Sequence, residues 1–198
     1  MSELRELAML RHYNKRMGAA LIVDFDNTLY RTFRNFSPKK ACSQKILDEV
    51  LIKDKLQFKE LLHLKHYYLT KFLITGRDVS HINRIRDLIT SANGYFDDYR
   101  AMEWSKHNHI KDRKLLFEKY WNYKWNHICQ IHDYFLKGAV VIDDDIVIIT
   151  MCNFFNIPNV LVDLRNKIYK INHNGNISIE YNISQTSYLL EFISKFIP

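Results

Sequence analysis

The chain has 198 residues, 47% of them hydrophobic, which suits one domain with a full core and small appendages. Its formal net charge of +7 favours anionic partners such as nucleic acid, nucleotides or phosphorylated protein, and bears on association, not on fold. The three cysteines, Cys42, Cys129 and Cys152, form no CxxC and exclude a disulfide framework; no apolar run reaches the ~18 residues of a membrane span, and 1–16 lacks the apolar core of a signal peptide, so a cytoplasmic protein with no membrane association is expected.

Leu4, Leu7, Leu10 and Met17 recur at helical spacing and predict an amphipathic helix over 1–17, ended by Gly18. Ala19-Ala20-Leu21-Ile22-Val23 reads as a buried strand running into Asp24. Ser37-Pro38 opens a helix, with Ser as N-cap and Pro in the first position, that runs to about Leu64. Tyr68 to Thr75 is a second strand, Ser80 to Ala92 a helix with Ile82, Ile85 and Ile89 on one face, and Tyr95 to Met102 a third, weaker strand. A long helix covers Lys111 to Phe135, and Ala139 to Ile142 is a fourth strand. Val147 to Phe155 is helical and Asn159 to Leu164 a fifth strand. Ile168 to Asn182 alternates around Asn174-Gly175, a pair that favours a type I′ hairpin, and Ser184 to Phe196 closes the chain as a helix. This rhythm indicates an α/β sheet of parallel strands covered by helices on both faces, whose ligands bind beyond the carboxyl ends of the strands.

Four features with chemical meaning sit at such ends. Asp24 and Asp26 project to the same side of the first strand, α-carbons roughly 7 Å apart, with Phe25 turned away. Two carboxylates fixed so close call for a divalent cation with hard oxygen ligands, and can act as nucleophile and proton donor. A calcium loop is excluded because Leu29 and Asn35 replace its required Gly and Glu. Thr75, before Gly76, offers a hydroxyl at a strand tip. A lysine near the start of the long helix can neutralise a phosphoryl group; Lys111 and Lys114 are the candidates, with Lys106 third. Lys114 is favoured because Leu115-Leu116-Phe117 read as a buried segment after it. Asp143-Asp144-Asp145 after an apolar strand is costly without a cation.

In this order, Asp24-x-Asp26-x-Thr28, Thr75, a lysine and Asp143-Asp144 resemble the motifs of the haloacid dehalogenase (HAD) superfamily over about 19–164. The string 72–77, Tyr95-Phe96-Asp97 and the 114–117 segment look similar to HAD domains of RNA-repair (Swiss Army Knife) type. The resemblance implies a three-layer Rossmann-like HAD domain over 18–166 with no large cap, and a C-terminal hairpin and helix over 167–198 packed on it. It implies a Mg²⁺-dependent phosphoric monoester hydrolase. Asp24 would form an aspartyl-phosphate, Asp26 would be acid and base, and Thr75 and Lys114 would hold phosphoryl oxygens. Mg²⁺ would be held by the Asp24 carboxylate, the Asp26 backbone carbonyl and Asp143, with Asp144 behind them. An acid at position 26 favours phosphate over halide chemistry.

The absence of a cap, with the positive charge, points to a macromolecular or nucleic-acid phosphate ester, as in nucleic-acid repair. Arg31, Arg34 and Arg77 are candidate contacts to a phosphate backbone. The competing readings are a small-molecule phosphatase or nucleotidase, and a silent HAD fold that binds without turnover. His63 and His66 are read as surface or packing residues, Tyr120 as core, and Asp97 and Asp98 as turn acids.

Overall fold

Five-residue apolar runs whose odd and even positions are all buried can only be central strands, each face meeting a separate core. The computed structural model, which describes residues 17–31, 56–107, 109–173 and 177–197, has that arrangement. It contains β1 (Ala19–Val23), α1 (Lys59–His63), β2 (Leu69–Asp78), a 3₁₀ turn (Val79–His81), α2 (Ile82–Ser91), β3 (Asp98–Met102) and a second 3₁₀ turn (Trp104–His107). Then come α3 (Arg113–Tyr134), β4 (Ala139–Asp143), α4 (Ile146–Phe154), β5 (Asn159–Asp163), β6 (Ile168–His173), β7 (Ile177–Asn182) and α5 (Thr186–Ser194). Residues 1–16 of the helix expected over 1–17, the start of the Ser37 helix, Arg34 and the Asn174-Gly175 turn lie outside the described residues.

The seven strands form one sheet in the order β3-β2-β1-β4-β5-β6-β7. The pairings from β3 to β5 are parallel, while β5–β6 and β6–β7 are antiparallel. The C-terminal hairpin therefore extends the sheet edge: Tyr169 pairs with Val162 on one side and Tyr181 on the other. Leu21, Val23, Leu73, Val140 and Ile142 share a core with Ile85, Leu88 and Ile89 of α2 and Leu189, Phe192 and Ile193 of α5. The alternate residues Ala20, Ile22, Phe72, Ile74 and Val141 meet Ile128 and Ile131 of α3 and Ile148 and Cys152 of α4. Among the described residues no helix is long and apolar enough to cross a membrane.

Two expectations change. The helix from Ser37 does not run unbroken to Leu64: Leu56 pairs with Tyr30 in an isolated bridge, Phe58 takes a left-handed conformation at φ 48°, and α1 starts afresh behind it. The second strand does not end at Thr75. Thr75 is paired with Ala101 and Asp78 with Met102, so Gly76 and Arg77 are absorbed in a bulge and the strand runs to Asp78.

The topology selects one place for a site. From β1 the sheet grows to one side through β2 and to the other through β4, so strand order reverses between β1 and β4. Asp24 follows the last residue of β1 and Asp143 is the last of β4. Val23 and Ile142 are register partners, which sets the two acids side by side.

Candidate functional site

Asp24 and Asp143 are buried, and one ammonium joins them. Lys124 Nζ lies 2.8 Å from Asp24 Oδ1 and 2.8 Å from Asp143 Oδ2. Asp144, half-buried, completes a group of three carboxylates whose ligand oxygens lie within 4.8 Å of one another. One ammonium faces three acids, and the titrations reflect that imbalance. Burial pushes Asp24 well up, with Asp143, Asp144 and Asp26 adding to it and Lys124 opposing it. Burial and Asp143 push Asp144 up to about 8. Burial alone would lower Lys124, but Asp143 and Asp24 outweigh it and hold its pKa well above the ordinary value.

The lysine is the main correction. Lys114 is exposed on the first turn of α3, where Asp112 caps the helix by accepting from the Lys114 and Leu115 amides. Lys111 and Lys106 are exposed as well. The turn carrying Lys114 is not buried, since Leu115 is itself exposed. The buried face of α3 begins at Tyr120 and continues through Lys124, Ile128 and Ile131. Ten residues of helix span about 15 Å, which separates the expected lysine from the one beside the acids. The signal was present in the sequence: Lys124 occupies an apolar stripe at i+4 from Tyr120 and i−4 from Ile128.

Asp26 is held separately. Arg77 Nη2 donates to Asp26 Oδ1 at 2.6 Å, and Nε lies 3.0 Å from Oδ1 and 2.9 Å from Oδ2. Arg77 is thus buried and paired, not a surface contact to a phosphate backbone. Thr75, fully buried, accepts from the Arg77 amide and lies 3.5 Å from Asp26 Oδ2. The Asp26 side chain is not part of the three-carboxylate group. Phe25 points the other way, as alternation requires, and stacks on Tyr30 at 5.3 Å. The turn after Asp26 closes through Asn27 at φ 55° and the Tyr30 amide bonding to the Phe25 carbonyl at 2.8 Å. Thr28 is buried, its hydroxyl without a partner among the described residues.

The remaining acids have local duties. Asp145 caps α4 by accepting from the Val147 amide and also accepts from Trp121 Nε1 at 2.9 Å. Its amide donates to Asp143 Oδ1, fixing that carboxylate's second oxygen. Asp97 accepts from the Lys71 amide and Asp98 pairs with Arg100, so both serve the β2–β3 edge. His66 is exposed and accepts from the Tyr68 amide; Tyr120 is core, as read from its spacing.

A cavity of about 190 Å³ opens over the cluster, lined by Asp24, Asp26, Asn27, Phe117, Tyr120 and Asp144 among others. The donor set is all hard oxygen with a deficit of positive charge, which fits a divalent cation of the Mg²⁺ class. No family model, no curated protein and no solved structure matches this chain.

Proposed function

We propose that the chain is a Mg²⁺-dependent phosphomonoesterase of HAD type, acting through an aspartyl-phosphate on Asp24. The observation that carries the reading is the convergence of Asp24, Asp143 and Asp144 on one point with a single buried lysine. Left bare, three acids and one ammonium would repel a phosphate ester. Mg²⁺ held by Asp24, Asp143 and Asp144 would reverse that sign and polarise a phosphoryl oxygen.

Asp24 carries the nucleophilic oxygen. Lys124 engages Oδ1, which leaves Oδ2 to attack phosphorus. Lys124 takes the part that the resemblance gives to its lysine, neutralising charge on the nucleophile. Asp26 protonates the leaving ester oxygen and later takes a proton from the attacking water. Asp145 and Trp121 keep the β4 tip in place. The doubly wound sheet with helices on both faces agrees with the three-layer HAD domain. The substrate class is a macromolecular or nucleic-acid phosphate ester, supported by the net charge of +7.

The test is hydrolysis of p-nitrophenyl phosphate with Mg²⁺ and with EDTA, for the parent chain and Asp24→Asn. Chelation abolishes turnover, and Asp24→Asn lowers kcat by at least about a thousandfold. Metal-independent turnover, or full activity in the variant, rejects the reading. Binding of a phosphate ester with no turnover would instead identify a silent module. Comparison of 3′-phosphorylated oligonucleotides with mononucleotides and sugar phosphates decides the substrate class; equal or better turnover of the small esters removes the macromolecular assignment.

A further inference from the structure

We infer that Arg77 is a positioning residue for the second carboxylate, fixing Asp26 so that Oδ2 is the oxygen that exchanges protons with the leaving group; the inference rests on the phosphatase reading above. Two acids two residues apart, just past the end of β1, are held by cations of different kinds. Asp24 is met by the ammonium of Lys124, a point charge that engages one oxygen and does not itself define the plane of the carboxylate. Asp26 is met by a guanidinium, a planar fork that fixes both the position and the plane of the carboxyl group. Oδ1 receives two donors, including the shortest at 2.6 Å. Oδ2 receives Nε at 2.9 Å and only a long contact of 3.5 Å from Thr75, so it retains capacity for a proton.

The backbone is shaped to present this arginine. The β2 bulge inserts Gly76 and Arg77 between the paired residues Thr75 and Asp78, and such bulges re-aim side chains beside sites. Trp104 Nε1 donates to the Gly76 carbonyl at 2.7 Å, and the Trp104 amide donates to Asp78 Oδ2 at 3.0 Å. Arg77 is 5% exposed and lies over the Phe25 ring, 5.8 Å from its centroid.

In the first step the Asp24 carboxylate oxygen bonds to phosphorus as the P–O ester bond breaks. The electron pair of that bond goes to the ester oxygen, which takes the proton from Asp26 Oδ2 and leaves as the alcohol. In the second step water oxygen bonds to phosphorus and its proton goes to Asp26 Oδ2. Inorganic phosphate and the Asp24 carboxylate are released, and Asp26 is again protonated.

The test separates proton delivery from mere structure by leaving group. Single-turnover cleavage is followed for an alkyl ester, a 3′-phosphorylated oligonucleotide, and for 2,4-dinitrophenyl phosphate, whose phenolate leaves without a proton. Arg77→Lys keeps the charge and loses the fork. Cleavage of the alkyl ester falls about a hundredfold, while dinitrophenolate release falls less than about threefold. In an Asp26→Asn background the same change costs neither ester anything further, a comparison that holds even if the single variant does not fold. Equal losses on both esters, no loss on either, or an additive loss in the Asp26→Asn background overturns the inference. If the parent chain cleaves neither ester, the phosphatase reading fails and the inference with it.

Discussion

Among the described residues two lysines are fully buried, one on each face of the sheet, and they meet opposite electrostatic fates. Lys124, 1% exposed, sits on the α3 face between Asp24 and Asp143, whose charges hold its pKa up against burial. Lys71, 0% exposed, sits on the other face and donates to the Leu61 and Leu62 carbonyls at 2.8 and 2.9 Å. Its ammonium lies 4.0 Å from the Tyr95 ring centroid, and burial lowers it to about 8, with Asp97 opposing. Dipoles and rings satisfy the hydrogen bonds of a buried ammonium without fully offsetting its lost hydration; at Lys124 the charges of Asp143 and Asp24 outweigh that loss. Lys71 is thus a pin that closes the C-terminal end of α1 onto β2. Lys124 belongs to a charged cluster whose acids outnumber it, and only the second arrangement calls for a further cation.

The comparison breaks most sharply on neutral substitution. Lys124→Met leaves Asp24 and Asp143 buried without a cationic partner and costs about 3–5 kcal/mol in urea unfolding under EDTA. Lys71→Met removes the ammonium from the Leu61 and Leu62 carbonyls, of which Leu62 keeps the Tyr95 amide at 3.3 Å, and costs about 1–3 kcal/mol. Mg²⁺ recovers part of the first loss and none of the second, because an ion on the acids replaces the missing charge. Equal costs, or recovery of both by Mg²⁺, would mean that the two lysines are alike.

The pH dependence sharpens the same contrast. Asp144 titrates near 8 in the folded chain against an ordinary 3.8, so between these values the folded state holds a proton that the unfolded state has lost. Stability under chelation therefore falls as pH rises from about 4 to about 8, with Asp24 acting in the same direction. Lys71 titrates near 8 against an ordinary 10.5, so the unfolded state is the one holding the extra proton in that window. Stability rises from about pH 8 to about 10.5. The outcome is a minimum near pH 8 in EDTA. Asp144→Asn makes the acid limb shallower, with Asp24 keeping the remainder, and Lys71→Met flattens the alkaline limb; a profile without the minimum refutes the assignment.

The strands and the acids were legible in the sequence because both rest on local rules. Apolar runs such as 19–23 and 139–142 can bury two faces only at the centre of a sheet, and side-chain alternation put Asp24 and Asp26 beside one cavity, although Asp26 is bound by Arg77 and stands outside the three-carboxylate group. The two basic partners were misplaced because their pairing is tertiary. The stripe of Tyr120, Lys124 and Ile128 marks the lysine as inward-facing, but the acids it meets emerge only when α3 is laid on the sheet, and the apolar letters after Lys114 misled because Leu115 faces solvent. Arg77 reads as a strand-end arginine until the bulge turns it inward. The third acid of the Asp143–Asp145 run was also ambiguous, since a helix cap and a ligand share the same chemistry.

The smallest predicted effect concerns how α3 is seated, on which the position of Lys124 depends. A β-carbon built on Gly76 would lie 2.3 Å from Cε2 of the Tyr120 ring, so Tyr120 rests directly on the bulge backbone. Tyr120 is one helical turn before Lys124, and displacing the ring tilts the turn that carries the ammonium. Gly76→Ala should cost about 1–3 kcal/mol by overpacking. If the bulge also sets the lysine, the alkaline limb governed by Lys71 stays intact while stabilisation by Mg²⁺ weakens. A variant that loses stability yet responds to Mg²⁺ as the parent does would show that α3 is fixed by Ile128 and Ile131 alone, and that the close approach at Gly76 is packing without consequence for the acids.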